Sequence, residues 1–357
     1  MATITGQIRS FEQNKMKEDI SDIIYNISPT DTPFMSSCKK GSCKNTKFQW
    51  NLDKLSDAAV PVGIAEGANS GSGVVEVVIQ EESYTQIFRK EIEVTGTIEA
   101  VDLYGRKSEM AYQMAKKSQE LKRDIEKTLL NFSNSNAPNQ FRTGYQESTS
   151  GKIAQATDAR VTRNFANIID THKFTDMTSA ATRNLTSTVI DADPAGALGI
   201  GAGVIGPTPP VLSPTILDGA MQRMWAIGTD FDYAIVSPMT MSLIATFAFN
   251  STGRMRDIGQ QRKVVNVVDI YVSAFGEISF ALDRFMAPGN AASGSSAGNQ
   301  IYFIDPKQLE LKYLRNFQTT TVAKTGDSDK KYVLGEMGLA VKAPQSCGIL
   351  YNFKHSA

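Results

Sequence analysis

The amino-acid sequence predicts an α+β fold, and three observations support this class. Two strand-like segments flank a stretch rich in Gly, Ala and Ser at residues 56–73, which is the pattern of a long β-hairpin. A helical apolar stripe follows at residues 101–132. Strand and helix signals then mix between residues 214 and 320, which is typical of helices packed on a mixed or antiparallel sheet.

An N-terminal arm is predicted over residues 1–46. Apolar residues in Glu18–Ser28 have helical spacing, and Pro29 ends this short helix. Pro33 and Gly41 then interrupt any regular pattern, so the arm reaches the first strand through an irregular segment.

A long β-hairpin is predicted over residues 47–96. Its first arm alternates apolar and polar side chains at Phe48–Leu55, and strand character returns at Val74–Thr97. A hairpin of this length cannot bury both faces against its own chain, so it requires a partner surface. Its charged side chains are candidate contacts to another subunit, a role favoured over acid–base chemistry: Glu81, Glu82, Arg89 and Lys90.

A long helix is predicted at residues 105–132, within the region 97–213, as a backbone along which other parts of the chain are laid. The helix is indicated by an apolar stripe at helical spacing, formed by Met110, Met114, Leu121, Ile125 and Leu129. Residues 133–212 contain a Thr/Ala/Gly-rich stretch and are the least regular part of the chain.

A separate α+β domain is predicted over residues 214–320. It begins with a helix at Pro214–Gly228 that has Ser213 at its cap position. A buried strand, a second helix and a hairpin that turns near Phe275 follow it, so we expect an antiparallel or mixed sheet.

The last segment, residues 321–357, predicts a closing hairpin and C-terminal strands. Gly326–Asp329 lies between two strand-like runs and is rich in turn-forming residues. The order of Lys and Gly does not match a phosphate-binding loop, and no later acid completes a calcium loop. We therefore interpret the segment as a turn, with Lys324 and Asp327 as candidate contacts to a neighbouring subunit.

Composition argues against several classes of function. The 357 residues include 37 Lys and Arg against 37 Asp and Glu, so the basic excess of an electrostatic nucleic-acid binder is missing. No apolar run approaches the length of a membrane-spanning helix. The three cysteines Cys38, Cys43 and Cys347, with two histidines, support neither a zinc site nor a thiol nucleophile. We expect reduced thiols, no membrane role, no metal and no cofactor.

A glycine run is the best remaining argument for an enzyme. Gly201–Gly206 has the glycine spacing of a dinucleotide-binding loop, but the following Pro-Thr-Pro-Pro cannot begin the helix that such a loop requires. A nucleotide-using α+β enzyme therefore stays a remote alternative, and we expect no enzymatic activity.

Four phrases along the chain carry a resemblance to a known family. They are ISPTDTPFMSSCKKGSCKNTKFQWNLDKL, EVTGTIEAVDLYGRKSEMAYQMAKKSQELKRDIEKTLL, VVDIYVSAFGEISFALDRFM and YLRNFQTTTVAKTGDSDKKYVLGEMGLAVKAPQSCGIL. In their order and spacing, these phrases resemble the major capsid (major head) proteins of tailed bacteriophages, which have the Hong Kong 97 fold. An encapsulin-like nanocompartment shell protein shares this fold and is the alternative.

The resemblance implies a structural function. Many copies would assemble as pentamers and hexamers into an icosahedral head shell that encloses the double-stranded DNA genome and makes only weak, non-specific contact with it. Residues 47–96 would form the extended loop over a neighbouring subunit, residues 97–213 the peripheral domain with residues 105–132 as its spine, and residues 214–320 the axial domain. Residues 133–212 fit the family pattern least well, which makes their Thr/Ala/Gly-rich stretch a candidate insertion.

Partners are also implied by the resemblance. The arm is too short to contain a cleaved scaffolding segment, so a separate scaffolding protein is expected. A portal and decoration proteins are further expected partners, and the shell would assemble in the cytoplasm of the host bacterium.

Overall fold

A computed structural model of the chain describes residues 31–53, 64, 66–67, 69, 78–102, 106–130, 160–171, 189–191, 211–229, 231–250, 270–286, 300–324, 326–351 and 353. The predicted arm helix at Glu18–Ser28 and the glycine run Gly201–Gly206 lie outside the described residues. The same holds for most of residues 56–73 and for most of the candidate insertion at residues 133–212.

The described helices and strands confirm the α+β class. The helices are α1 Pro33–Ser37, α2 Gly96–Ala100, α3 Glu109–Leu129, α4 Phe165–Thr171, α5 Pro214–Ile227 and α6 Pro238–Asn250. The strands are β1 Lys39–Ser42, β2 Lys47–Leu52, β3 Ile79–Tyr84, β4 Gln86–Thr95, β5 Val189–Asp191, β6 Tyr233–Val236, β7 Ile270–Ser273, β8 Gly276–Leu282, β9 Gln300–Ile304, β10 Leu309–Thr321, β11 Ser328–Val341 and β12 Gly348–Tyr351.

The larger sheet has six strands in the order β5–β12–β9–β6–β8–β7. Pairs β12/β5 and β6/β8 are parallel and the other pairs are antiparallel, so the expected mixed sheet is confirmed. Helices α5 and α6 cover one face, while α3, α4 and the smaller sheet cover the other. Strand β9 is therefore buried at every residue, as a strand with two covered faces must be.

The smaller sheet has four strands in the order β1–β10–β11–β4. Strand β1 runs parallel to β10, and the other pairs are antiparallel. Strands β10 and β11 form the hairpin predicted around Gly326–Asp329. The part of β11 from Val333 to Val341 is buried because this strand lies inside the sheet and packs on the shared core.

Element boundaries differ from the predicted domain boundaries in two places. Strand β4 lies within the predicted hairpin at residues 47–96, but it pairs with β11 instead of β2. Strand β10 lies within the predicted domain at residues 214–320, but it belongs to the smaller sheet, and β12 returns to the larger sheet. Alternation along the sequence locates strands but does not reveal which partner each one pairs with.

The spine helix α3 begins at Glu109, four residues later than the predicted start at residue 105. The Ser108 hydroxyl accepts a hydrogen bond from the Ala111 amide and so caps the helix there. Leu121, Ile125 and Leu129 are buried on the core side, as the apolar stripe predicts.

Helix α5 confirms its predicted end signals. The Ser213 hydroxyl accepts from the Ile216 amide, and Pro214 occupies the first turn, where no amide donor is needed. Gly228 adopts φ 91°, the left-handed conformation that ends many helices and that glycine adopts without strain.

Candidate interaction surface

The β2–β3 hairpin forms a two-stranded sheet whose base packs on β11. Phe48 is buried there, and its ring stacks on that of Trp50 with the centroids 6.1 Å apart. A Cβ atom at Gly338 would lie 2.6 Å from the Tyr84 carbonyl oxygen and 2.8 Å from the Phe48 ring. The close approach of hairpin and sheet therefore requires glycine at this position.

A buried ion pair fixes the base of the hairpin. The Nη1 atom of Arg163, just before α4, donates to the Glu81 carboxylate at 2.9 Å and to the Glu82 carbonyl at 2.8 Å. Both side chains of the pair are almost fully buried. Glu81, predicted as a contact to another subunit, is thus occupied within its own subunit, and we assign it to the anchoring of the hairpin.

A second buried carboxylate lies beside this pair. Glu336 accepts from the Arg160 Nη2 atom at 2.7 Å, from the Arg315 Nε atom at 2.8 Å and from the Thr85 hydroxyl at 2.9 Å. Thr85 joins β3 to β4. Two guanidinium groups therefore compensate one buried carboxylate at the point where the hairpin leaves the smaller sheet.

Glu82 lies on the more exposed face of the hairpin. It forms an ion pair with Lys47 and accepts from the side-chain Nε2 atom of Gln49 at 3.0 Å, both across the two strands. Burial acts to raise the pKa of the Glu82 carboxyl, but the hydrogen bonds from Lys47 and Gln49 outweigh it and leave the pKa below its ordinary value.

Arg89 and Lys90 lie on β4, outside the β2–β3 hairpin. Arg89 is paired with Glu91 at 2.7 Å and its side chain is 54% exposed. Lys90 pairs with Asp124 of α3 at 2.5 Å and so ties the smaller sheet to the spine helix. These residues have partners within the subunit, and their contact with another subunit stays a prediction.

The β10–β11 turn presents Lys324 and Asp327 at the surface. Lys324 pairs with Asp329 at 2.7 Å across the turn, and this hydrogen bond raises the pKa of the Lys324 ammonium. The Asp327 carbonyl accepts from the Gly96 amide at 3.1 Å, which joins the turn to α2. The role of Lys324 and Asp327 in contacts between subunits also stays a prediction.

The arm junction is where α1 meets the spine helix. The Glu126 carboxylate of α3 is fully buried and accepts from the Phe34 amide at 2.6 Å and from the Met35 amide at 2.8 Å. The pKa of Glu126 is raised to about 7, chiefly by burial and also by the nearby Asp283 charge, and the hydrogen bonds from the Met35 and Phe34 amides offset only part of this rise.

Asp283, directly after β8, is the second buried acid of this junction. It accepts from the Phe285 amide at 2.7 Å, and burial raises the pKa of its carboxyl. No ion pair joins Glu126 or Asp283 to any Lys or Arg in the described part of the chain. This pair of acids is held by backbone amides alone among the contacts described.

The cysteines occupy unreactive surroundings. Cys38 and Cys347 are buried, and burial raises the pKa of the Cys347 thiol to about 12 and that of Cys38 higher still. Cys43 is half-buried, with a pKa raised by the same cause. Thiolates are the reactive form of cysteine, so these positions favour structural thiols over nucleophiles.

The outer strand of the larger sheet exposes apolar side chains. Ile270 and Val272 on β7 are 56% and 59% exposed, whereas Tyr271 between them is buried. Trp225 on α5 is 62% exposed, and its ring lies 6.4 Å from that of Phe275 at the β7–β8 turn. An edge strand with this much exposed apolar surface indicates a site of contact with another protein surface.

Sequence reasoning missed the residues that anchor these elements. Two of them left a signal, because Glu336 interrupts the apolar run Val333–Val341 and Glu126 lies three residues before Leu129 on the buried side of its helix. A charge inside an apolar pattern indicates a buried ionisable group that is held by specific partners. Arg163 left no such signal, since it lies in an irregular segment.

Within the described residues, no three His, Cys, Asp or Glu side chains are grouped in a way that could hold a metal ion. No described helix is both long enough and apolar enough to cross a membrane.

Comparison with known proteins gives a consistent result over nearly the whole chain. The family model described as SU10 major capsid protein matches residues 3–354. The major capsid protein of Escherichia phage Phieco32 is 27% identical over 363 residues, which cover 96% of each chain.

Solved structures with similar folds include two kinds of shell. The capsid of cyanophage A-1(L) superimposes with a TM-score of 0.63 at 10% identity, over 95% of this chain and 97% of that one. An encapsulin complex from Synechococcus elongatus matches with a TM-score of 0.53 at 9% identity, over 95% of this chain and 93% of that one. At such low identities, these likenesses show the fold alone.

Proposed function

The chain belongs to the SU10 major capsid protein family, and we propose how its copies join into pentamers and hexamers. The surfaces that join them are the β2–β3 hairpin and the exposed edge strand β7. The protein is a major capsid protein with the Hong Kong 97 fold, and it forms the head shell of a phage. The match over residues 3–354 carries this conclusion.

The hairpin supports the first part of the proposal. A two-stranded hairpin is marginally stable by itself, and no described strand extends the β2–β3 sheet. Its base is nevertheless held by the buried pair of Arg163 and Glu81. A hairpin that is anchored at its base and paired with no further described strand suits an extended loop that lies on a neighbouring subunit.

The β7 edge supports the second part. Rings of five or six subunits are built from heterologous contacts, in which one surface of a subunit meets a different surface of the next. The exposed pair Ile270 and Val272 and the exposed Trp225 lie at the same end of the larger sheet. We assign these residues to the axial contacts around five-fold and six-fold positions.

We also propose the proteins with which the shell acts during assembly. A separate scaffolding protein, a portal and decoration proteins would act with the shell during assembly in the host cytoplasm. The zero net charge favours weak, non-specific contact with packaged DNA, since a strongly basic surface would retain it.

The family is a structural one, and we propose no enzymatic role. Both the family match and the curated relative are phage capsid proteins, which disfavours the nanocompartment alternative.

Expression followed by electron microscopy tests the assembly proposal. The full chain, with the scaffolding protein of its phage where needed, should form closed shells with five-fold and six-fold clusters of subunits. A subunit that stays monomeric under every assembly condition, with or without that protein, would contradict it.

Deletion of residues 58–72 at the hairpin tip tests the role of the loop. We expect the subunit to keep its unfolding midpoint, because the anchoring contacts of Glu81, Arg163 and Glu336 all lie outside the deleted segment. Shell yield should fall strongly, as counted in micrographs or measured by sedimentation. Normal shells from the deletion variant would rule out a contact between subunits at the tip.

A further inference from the structure

An open groove of about 500 Å³ lies between α3 and the paired strands β4 and β11. Its apolar lining includes Val94 on β4 and Met110 and Met114 on α3. Ala111 and Ala115, on the same helix, line the groove and are exposed to solvent. Small side chains allow a partner helix to approach closely, and methionines adapt to its shape.

The surroundings of the groove extend this apolar surface. Ile98 on α2 is 44% exposed and Val101 just after it is 55% exposed, next to the groove residue Glu99. Asp329 and Lys331 also line the groove and supply a charged margin. An apolar floor with a charged margin is the arrangement that binds one face of an amphipathic helix.

One segment of this chain has the matching pattern. Glu18–Ser28 precedes the first described residue, and its apolar residues recur at the i, i+3, i+4, i+7 spacing of a single helical face: Ile20, Ile23, Ile24 and Ile27. On the same helical period, Glu18 and Asp22 fall on the opposite face, whereas Asp19 lies at the border of the isoleucine face, one turn before Ile23. These four isoleucines would be the anchors of a helix bound in a groove.

The distance from the arm junction to the groove is short enough for the connecting residues of the arm to span. The Phe34 and Met35 amides bind Glu126, which fixes where the arm meets the spine helix. Ala115 lies about three turns, or roughly 16 Å, before Glu126 on nearly the same side of α3. The residues from Pro29 to Pro33 can extend to about 16 Å, so the arm can place its preceding segment in the groove.

We propose that Glu18–Ser28 forms a helix that docks its isoleucine face into the α3–β4–β11 groove of the same chain. The docked segment covers apolar surface that is otherwise exposed on the unassembled subunit. It also holds the arm along the spine helix. This inference does not depend on the proposed function, because it concerns the isolated subunit.

Disulfide cross-linking of the unassembled subunit tests the docking. Ile24→Cys and Ala115→Cys are combined with Cys43→Ser, which leaves only the buried Cys38 and Cys347 among native thiols. Mild oxidation should give an intramolecular disulfide, detected as faster migration without reduction. The matched control replaces Ala115→Cys by Lys116→Cys, an exposed position outside the groove lining, and should cross-link about tenfold more slowly because its effective thiol concentration is lower.

Other cross-linking results would overturn the proposal. Equal rates for the two cysteine pairs would show an unbound arm. A product of twice the subunit mass would show that the groove receives the arm of a second copy. The absence of any cross-link would show that the segment does not occupy the groove.

Hydrogen exchange gives a second test without cysteines. In the wild-type subunit the amides of Glu18–Ser28 should exchange more slowly than those of an unfolded chain. Ala115→Asp, at an exposed position in the groove, should remove this protection while Lys116→Asp leaves it unchanged. Exchange at the unfolded rate in the wild type, or equal loss of protection in both variants, would overturn the docking.

Discussion

Buried acids at the hairpin base and at the arm junction have opposite surroundings. At the hairpin base, Glu81 faces the Arg163 guanidinium and Glu336 faces two guanidinium groups. At the arm junction, Glu126 and Asp283 accept from backbone amides and have no ion-pair partner among the described residues. At the hairpin base, guanidinium groups compensate the buried carboxylates. At the arm junction, two buried acids lie near each other without such a partner among the described residues.

This difference separates two ways of holding a capsid subunit together. A compensated pair depends on both partners being present, because either one alone is an uncompensated buried charge. A pair of uncompensated acids depends instead on solution pH, since a proton removes the cost of burying the charge. The hairpin base should therefore respond mainly to mutation, and the arm junction mainly to pH.

Loss of Arg163 should produce the largest effect. Arg163→Met leaves the Glu81 carboxylate and the Glu82 carbonyl without their guanidinium donor. We expect a loss of about 3–5 kcal/mol in the free energy of unfolding, measured by urea denaturation of the unassembled subunit.

The double variant Arg163→Met with Glu81→Gln provides the control for that prediction. Glu81→Gln removes the buried charge that has lost its guanidinium partner, so the double variant should recover part of the lost stability. A double variant whose loss equals the sum of the two single losses would contradict direct coupling between these side chains.

A smaller effect is expected from Glu126, and it should appear only as pH changes. Its pKa of about 7 in the folded chain lies above the ordinary value of 4.5, so the folded state binds more protons between these values. The resulting stabilisation is fully present below pH 4.5 and is lost as pH rises through 7, with a magnitude on the order of 3 kcal/mol. Thermal unfolding from pH 4.5 to 8 measures this slope.

Glu126→Gln separates this group from the other titrating residues. The neutral amide cannot titrate and keeps an oxygen acceptor for one of the two backbone amides, because Phe34 and Met35 donate to different carboxylate oxygens of Glu126. The variant should therefore lose stability less steeply than the wild type as pH rises. Parallel curves for the two proteins would assign the slope to other groups, such as Asp283.

Features of the fold that depend on neighbouring residues could be predicted from the sequence, whereas pairings between distant segments could not. The spine helix, the caps of α5 and the β10–β11 hairpin depend on residues close in the chain, so periodicity and turn chemistry indicated them. The assignment of β4 to β11, and of Arg163 to Glu81, joins segments far apart in the chain. Such pairings depend on the packing of whole elements, which local patterns do not encode.

The smallest effect on stability is expected at the exposed pair of Lys324 and Asp329, which lacks the burial that makes the other acids sensitive. Lys324→Ala should leave the unfolding midpoint of the isolated subunit unchanged, because water screens an exposed ion pair and its loss leaves no buried charge. If the turn contacts a neighbouring subunit, the same variant should lower the yield of shells, with Lys116→Ala as the exposed control. A shifted midpoint in the isolated subunit would contradict the distinction between exposed and buried pairs, whereas normal assembly would remove Lys324 from the proposed contacts.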